Sequence, residues 1–161
     1  DNVSDISVDM NLGSVEIKKG NKLEVIYTGA EKFKPAVSVS GTSLNIEQHV
    51  KVHLMTNIKN SDCTLTITIP DNVSLNSIQA DLNMGDIKIT NCNSDVFNLS
   101  VDMGSLKISG MDIDKYSANL SVDLGDIKVN DSTYSHSYTN NAGSGKSINA
   151  DVNLGDIKIN K

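Results

Sequence analysis

Large apolar residues alternate with polar ones along 99–103, with Leu99, Val101 and Met103 set against Ser100 and Asp102. That period of two is the signature of a half-buried strand. After Gly104 the alternation resumes at Leu106 and Ile108, with Lys107 between them. The step from Met103 to Leu106 is three residues, so the phase breaks once, at the glycine. A strand absorbs such a break by bending, and glycine bends without a Cβ penalty. The pattern predicts strand, glycine corner, strand, with all large apolar side chains on the inside of the corner.

The unit occurs five times: VDMNLGSVEI at 8–17, ADLNMGDIKI at 80–89, LSVDMGSLKI at 99–108, LSVDLGDIKV at 120–129 and ADVNLGDIKI at 150–159. Gly85, Gly104 and Gly125 lie 19 and 21 residues apart. That spacing suits one coil of an all-β solenoid, in which equivalent strands stack in parallel about 4.8 Å apart. One coil buries too little apolar surface to offset the entropy of ordering itself, so the repeats are read as one stack sharing a core. An antiparallel β-sandwich with glycine-marked bends is the alternative architecture.

The rest of the chain is arranged around this stack. Residues 23–69 depart from the repeat and read as strands at 23–28, 36–40, 43–48, 50–55 and 64–69, with a hairpin signal at Ser40-Gly41-Thr42. This region is expected to form a partly antiparallel cap, because a solenoid end presents unpaired N–H and C=O groups. The division is then a single domain over 1–161, with N-terminal strands and cap at 1–73 and regular coils at 74–161. The other end is expected to be bare, closing on Ile157 to Lys161, either blunted by lysine or paired with another copy. Gly125 and Gly155 stand 30 residues apart. The excess falls within 131–147, a Ser/Gly/Asn-rich stretch that reads as an inserted surface loop carrying Tyr134, His136 and Tyr138.

Composition narrows the function. All 14 positive charges are Lys, there is no Arg, and the net charge is −6. That balance argues against a nucleic-acid partner, and the Asn/Lys/Ile-rich usage suggests an AT-rich genome. No run approaches membrane-spanning length. The chain opens at Asp1 without an initiator Met, so the lack of a signal peptide is uninformative. Cys63 and Cys92 could pair once, but two free thiols are the expectation.

Stacking turns equivalent residues into columns. Asn83, Asp102, Asp123 and Asn153 form one; Asp81, Ser100, Ser121 and Asp151 a second; Asp86, Ser105, Asp126 and Asp156 a third; Lys88, Lys107, Lys128 and Lys158 a fourth. Carboxylates one rung apart could hold Ca²⁺, or give Asp102 and Asp123 the two-carboxylate geometry of a retaining glycosidase. The simpler account is structural: the Asp or Ser after each glycine bonds a turn N–H, and the lysine column neutralises the acidic one. No resident cofactor is expected. His49, His53 and His136 are scattered, and Ser135-His136-Ser137 has no orienting acid nearby, so no catalytic residues are assigned. P-loop, dinucleotide and metal-spaced Cys/His motifs are lacking.

The stretch LTITIPDNVSLNSIQADLNMGDIKI at 65–89, followed by repeated Gly-Asp-Ile units, resembles a bacterial family of unknown function labelled "putative adhesin". The resemblance implies a right-handed parallel β-helix, a cell-envelope or extracellular location behind a membrane anchor outside this chain, and no catalytic residues to carry over. The leading expectation is a non-enzymatic surface domain. It would present its flat faces and its loop to a protein or glycan, with Tyr134, His136, Tyr138, Asp102, Asp123 and Asp126 as binding candidates. A carbohydrate-active enzyme built on stacked Asp residues is the first alternative. A structural envelope module that self-associates through its C-terminal edge strand is the second.

Overall fold

A computed structural model describes residues 3–50 and 63–161. Among the described residues fourteen strands lie in one open, mostly parallel sheet that folds over on itself at the glycine corners. Before the corner run the strands of the longer limb: β1 (Asp5–Leu12), β5 (Ser43–Glu47), β7 (Leu75–Met84), β9 (Ser94–Met103) and β13 (Ser147–Leu154). After it run those of the shorter limb: β2 (Ser14–Gly20), β6 (Thr64–Pro70), β8 (Ile87–Thr90), β10 (Leu106–Ser109) and β14 (Ile157–Asn160). β11 (Ser117–Val129) runs through Gly125 and serves both limbs. The parallel solenoid is therefore the architecture, rather than the antiparallel sandwich.

Inward positions alternate as the pattern requires. Ile78, Ala80 and Leu82 on the long limb face Ile87 and Ile89 on the short limb, all buried in one apolar cluster. The return loops close this core with Cys92, Met111 and Ile113, and the buried Tyr116 ring packs edge-on to Phe97 with centroids 5.8 Å apart. The Tyr116 hydroxyl donates to the Ser94 carbonyl at 3.0 Å, which satisfies its one polar atom.

The stacking order departs from the chain order. Along the long limb the order is β5, β1, β7, β9, β13, β11, and the short limb follows with β6, β2, β8, β10, β14, β11. The first repeat lies between the rung of β5 and β6 and that of β7 and β8. The last repeat lies between β9/β10 and β11. The bare C-terminal edge expected from the sequence is thus corrected: β14 pairs β10 on one side and β11 on the other. Self-association through that strand has no free edge to use.

Three antiparallel strands cover the ends. β3 (Glu24–Thr28) pairs β6, and β4 (Ala36–Ser40) pairs β5 through a two-residue turn at Gly41-Thr42. The strands expected at 23–28, 36–40, 43–48 and 64–69 are present; of the one expected at 50–55, all but Val50 lies outside the described residues, His53 included. β5 and β6 are themselves parallel rungs, so the cap proper is β3 and β4. At the other end β12 (Ser132–Asn140) pairs β11 through a turn at Asn130-Asp131. The segment read as an inserted loop at 131–147 is therefore largely a capping strand. Its signal was weak because Ser alternates with Tyr and His there, without the large aliphatics that mark a buried strand.

Where β5 stops, a buried glutamine continues its pairing. The Gln48 side-chain oxygen accepts from the N–H groups of Asn11 at 3.1 Å and Leu12 at 2.9 Å, and its amide donates to the Phe33 carbonyl at 2.6 Å. The two N–H groups lie at the end of β1, and that of Leu12 would otherwise be buried without a partner.

Candidate functional site

The outer face of the long limb carries two parallel ladders of hydrogen-bonding side chains. One runs Gln79, Asn98, Asn149, Asn119 across β7, β9, β13 and β11; the other runs Asp81, Ser100, Asp151, Ser121. Between them lies a shallow groove of about 230 Å³, floored by the backbone at Leu99 and Ala150, whose side chains point into the core. The side chains bond along the ladders: the Asn149 amide donates to Asn98 at 3.1 Å, and the Ser121 hydroxyl donates to Asp151. Beyond Asp81 the second ladder continues as Asp9 and Glu47, three carboxylates on adjacent strands, but from Asp81 to Ser121 charged and neutral residues alternate. That order exists because the fifth rung is the last repeat, and it could not be read from the sequence order Asp81, Ser100, Ser121, Asp151.

The same rearrangement separates Asp102 from Asp123. Both are exposed and share one outward column, but the register places Asn153 between them, and its amide donates to Asp102 at 3.0 Å. Two strand spacings make about 9.6 Å, well beyond the separation of about 5–5.5 Å that a nucleophilic carboxylate pair uses. The one-rung pairing expected of these two residues is therefore not formed. Among the described residues no group of three or more His, Cys, Asp or Glu side chains converges as a metal site would require.

At the corner the post-glycine residues do what turn chemistry predicts, but across rungs. Asp86 accepts from the Ser105 N–H at 2.8 Å, and Asp156 accepts from the Asp126 N–H at 2.9 Å. Asp126 is thus placed by its backbone at the last rung, with an exposed side chain. The lysine column does not neutralise this row. Among the described residues only Lys88 of that column has a carboxylate within 4.0 Å, and its partner is Glu16 at 2.9 Å. That contact holds the Glu16 carboxyl below its ordinary value.

The residue before each glycine also departs from expectation. Leu12 is fully buried, but Met103 and Leu154 are 45% exposed and Leu124 is 67% exposed. They share the inward parity of their strands, and the backbone turns outward at the corner before the side chain can reach the core. The sequence reading placed all of them inside.

Tyr134, His136 and Tyr138 lie on the terminal strand β12. The two tyrosine rings meet edge-on with centroids 4.9 Å apart. Tyr138 packs partly against the core, where burial raises its pKa. His136 has φ of +72° at a bulge, opposite the β11 residues between Ser121 and Asp126. The register therefore brings His136 to the end of the solenoid that bears Asp123 and Asp126, while Asp102 lies two strands inward. The six candidates do not form one site.

His49 is exposed, with its ring 3.3 Å from Glu47. Cys63 and Cys92 are both buried free thiols. Burial pushes the Cys92 thiol up to about 11, which makes it unreactive at neutral pH. Among the described residues no helix is long and apolar enough to cross a membrane.

A known family and one solved structure agree with this architecture. The model of the family described as Toastrack DUF4097 matches residues 3–161. A structure titled as a "putative cell adhesion protein" from Clostridium sporogenes is similar in fold, with a TM-score of 0.65 and 14% identity over 99% of this chain and 93% of that one. A "putative adhesin" from Bacteroides fragilis aligns with a TM-score of 0.33 and 10% identity, over 99% of this chain and 93% of that one. No curated protein matches the chain in sequence.

Proposed function

Since the chain belongs to the Toastrack DUF4097 family, we propose that it is a non-enzymatic binding domain of the bacterial surface or envelope whose long-limb face recognises a glycan. The observation that carries the reading is the groove between the two polar ladders. Amides supply donors and acceptors together on every strand, and carboxylates supply strong acceptors on every second one, over a floor of strand backbone. Sugar hydroxyls, which donate and accept, match such a surface, and the stacked strands hold it rigid. The adhesion titles of the structural neighbours are in keeping with a surface location. Nothing in the arrangement of Asp102, Asn153 and Asp123 favours the hydrolytic alternative.

The test is binding of the purified chain to a mixed glycan and extracellular-matrix array, with Ca²⁺ and again with chelator, beside an Asn98→Ala/Asn149→Ala variant. The expected result is a defined glycan hit that the double variant loses by at least tenfold while its unfolding midpoint stays close to that of the parent. A blank array, or a variant that binds like the parent, overturns the reading. A hit that chelator abolishes adds a cation to the same face.

A further inference from the structure

On the outer face of the short limb, Lys88, Lys107, Lys158 and Lys128 stand side by side on β8, β10, β14 and β11. All four are exposed. Neighbouring members are one strand spacing apart, about 4.8 Å, so the four charges form a straight row about 14 Å long. Among the described residues Lys107, Lys158 and Lys128 have no carboxylate within 4.0 Å, and Lys88 reaches only Glu16 at the end of the row.

Like charges directly opposite on adjacent strands destabilise a sheet. On the long limb Glu47, Asp9 and Asp81 stand opposite one another on β5, β1 and β7, but from β9 onward the rungs interrupt such runs. Ser100 precedes Asp151 and Ser121 follows it; Asn153 parts Asp102 from Asp123; and in each case a hydroxyl or amide donates to a neighbouring carboxylate. The lysine position tolerates other residues, because Glu16 occupies it in the rung of β2. Four consecutive lysines are thus a repulsive arrangement that the protein does not compensate internally. The nearest acidic row is already engaged in part: Asp86 and Asp156 each accept a backbone N–H across the corner.

We propose that this lysine row is a binding strip for a linear carboxylated polysaccharide, laid along the stacking axis across the strands. A polymer with one carboxylate per sugar or sugar pair meets a straight row of evenly spaced ammonium groups. The strip is one residue wide, lacks Arg, and sits on a chain of net charge −6. Those features suit a single narrow polyanion and disfavour a duplex nucleic acid, whose broad charge distribution meets the acidic remainder of the surface. The site is separate from the long-limb groove, so the two readings stand or fall independently.

The experiment is titration of the purified chain with polygalacturonate at low and at high salt, against a neutral glucan, inorganic polyphosphate and single-stranded DNA. Lys107→Gln/Lys158→Gln removes the centre of the row; Lys22→Gln/Lys115→Gln removes two lysines elsewhere and keeps the same net charge. Expected are salt-sensitive binding of polygalacturonate, at least tenfold weaker binding by the row variant, parent-like binding by the control, and an unfolding midpoint of the row variant equal to or above the parent's. An Asn98→Ala/Asn149→Ala variant should bind polygalacturonate normally. The proposal is overturned if the parent fails to bind polygalacturonate or prefers polyphosphate or DNA. It is also overturned if the two lysine variants weaken binding alike, or if the row variant loses stability.

Discussion

A methyl group on Gly104 would sit 1.7 Å from the carbonyl oxygen of Gly85, and one on Gly155 would sit 1.8 Å from that of Gly104. The corner glycines form a continuous column, Gly13, Gly85, Gly104, Gly155, Gly125, in which each backbone occupies the space a side chain would need on the next. Their φ values lie between +115° and +144°, a region closed to other residues. Gly143, at φ +64°, has open space around it and carries only a conformational cost. Gly143→Ala is therefore expected to cost about 1 kcal/mol, the ordinary penalty for a left-handed residue. Gly104→Ala is expected to exceed about 4 kcal/mol or to prevent folding, since it adds a steric clash to that strain. Urea unfolding of the two variants checks this, and similar midpoints would remove the column from the account. The need for a bend at these glycines was legible from the single break in hydrophobic phase. Their close mutual approach was not, because it links residues far apart in sequence through a stacking order the sequence does not state.

β12 shows how an element escapes a pattern-based reading. A strand is visible in sequence when one face is buried, and β12 buries little beyond part of Tyr138. It is a strand because β11, as the last rung, offers a row of N–H and C=O groups that require partners. Its role is therefore to end the sheet. Deleting 132–146 leaves β11 as an uncovered edge with its core side chains in place. The expected outcome is a domain that still folds, with a lower melting temperature and concentration-dependent association seen by light scattering. An unchanged melting temperature with a strict monomer at high concentration would show that the end needs no cover. The caps at the other end were more readily foreseen, because β4 and β5 are joined by a compact Gly-Thr turn between alternating residues. The exposed Met103, Leu154 and Leu124 were misread for a related reason: inward parity guarantees burial only where the strand continues straight over the core.

At the scale of the molecule, the first and last repeats each lie one rung in from the limits of the stack. The repeat at 150–159 and the repeat at 120–129 are nearly interchangeable in sequence, and either would fit either rung. Hydrophobic pattern therefore specifies the coil but not its place, and the order is settled by connections: β12 covers the outer side of β11, and β13 and β14 enter on its inner side. This nesting changes what truncation means. In a solenoid wound in chain order, removing the last coil exposes the previous one and leaves a shorter stack. Here, ending the chain at Lys146 removes the fifth rung and opens a gap between β9/β10 and β11, taking Ile148, Val152, Ile157 and Ile159 out of a continuous core. β11 could close that gap only by moving one strand spacing with β12 attached. The truncated chain is accordingly expected to lose the cooperative unfolding transition of the parent. Hydrogen exchange on the full chain should show β13 and β14 amides protected as strongly as those of β9, although they belong to the last residues of the chain. Rapid exchange there, as in a fraying terminal coil, would mean that the last repeat is not held between its two neighbours.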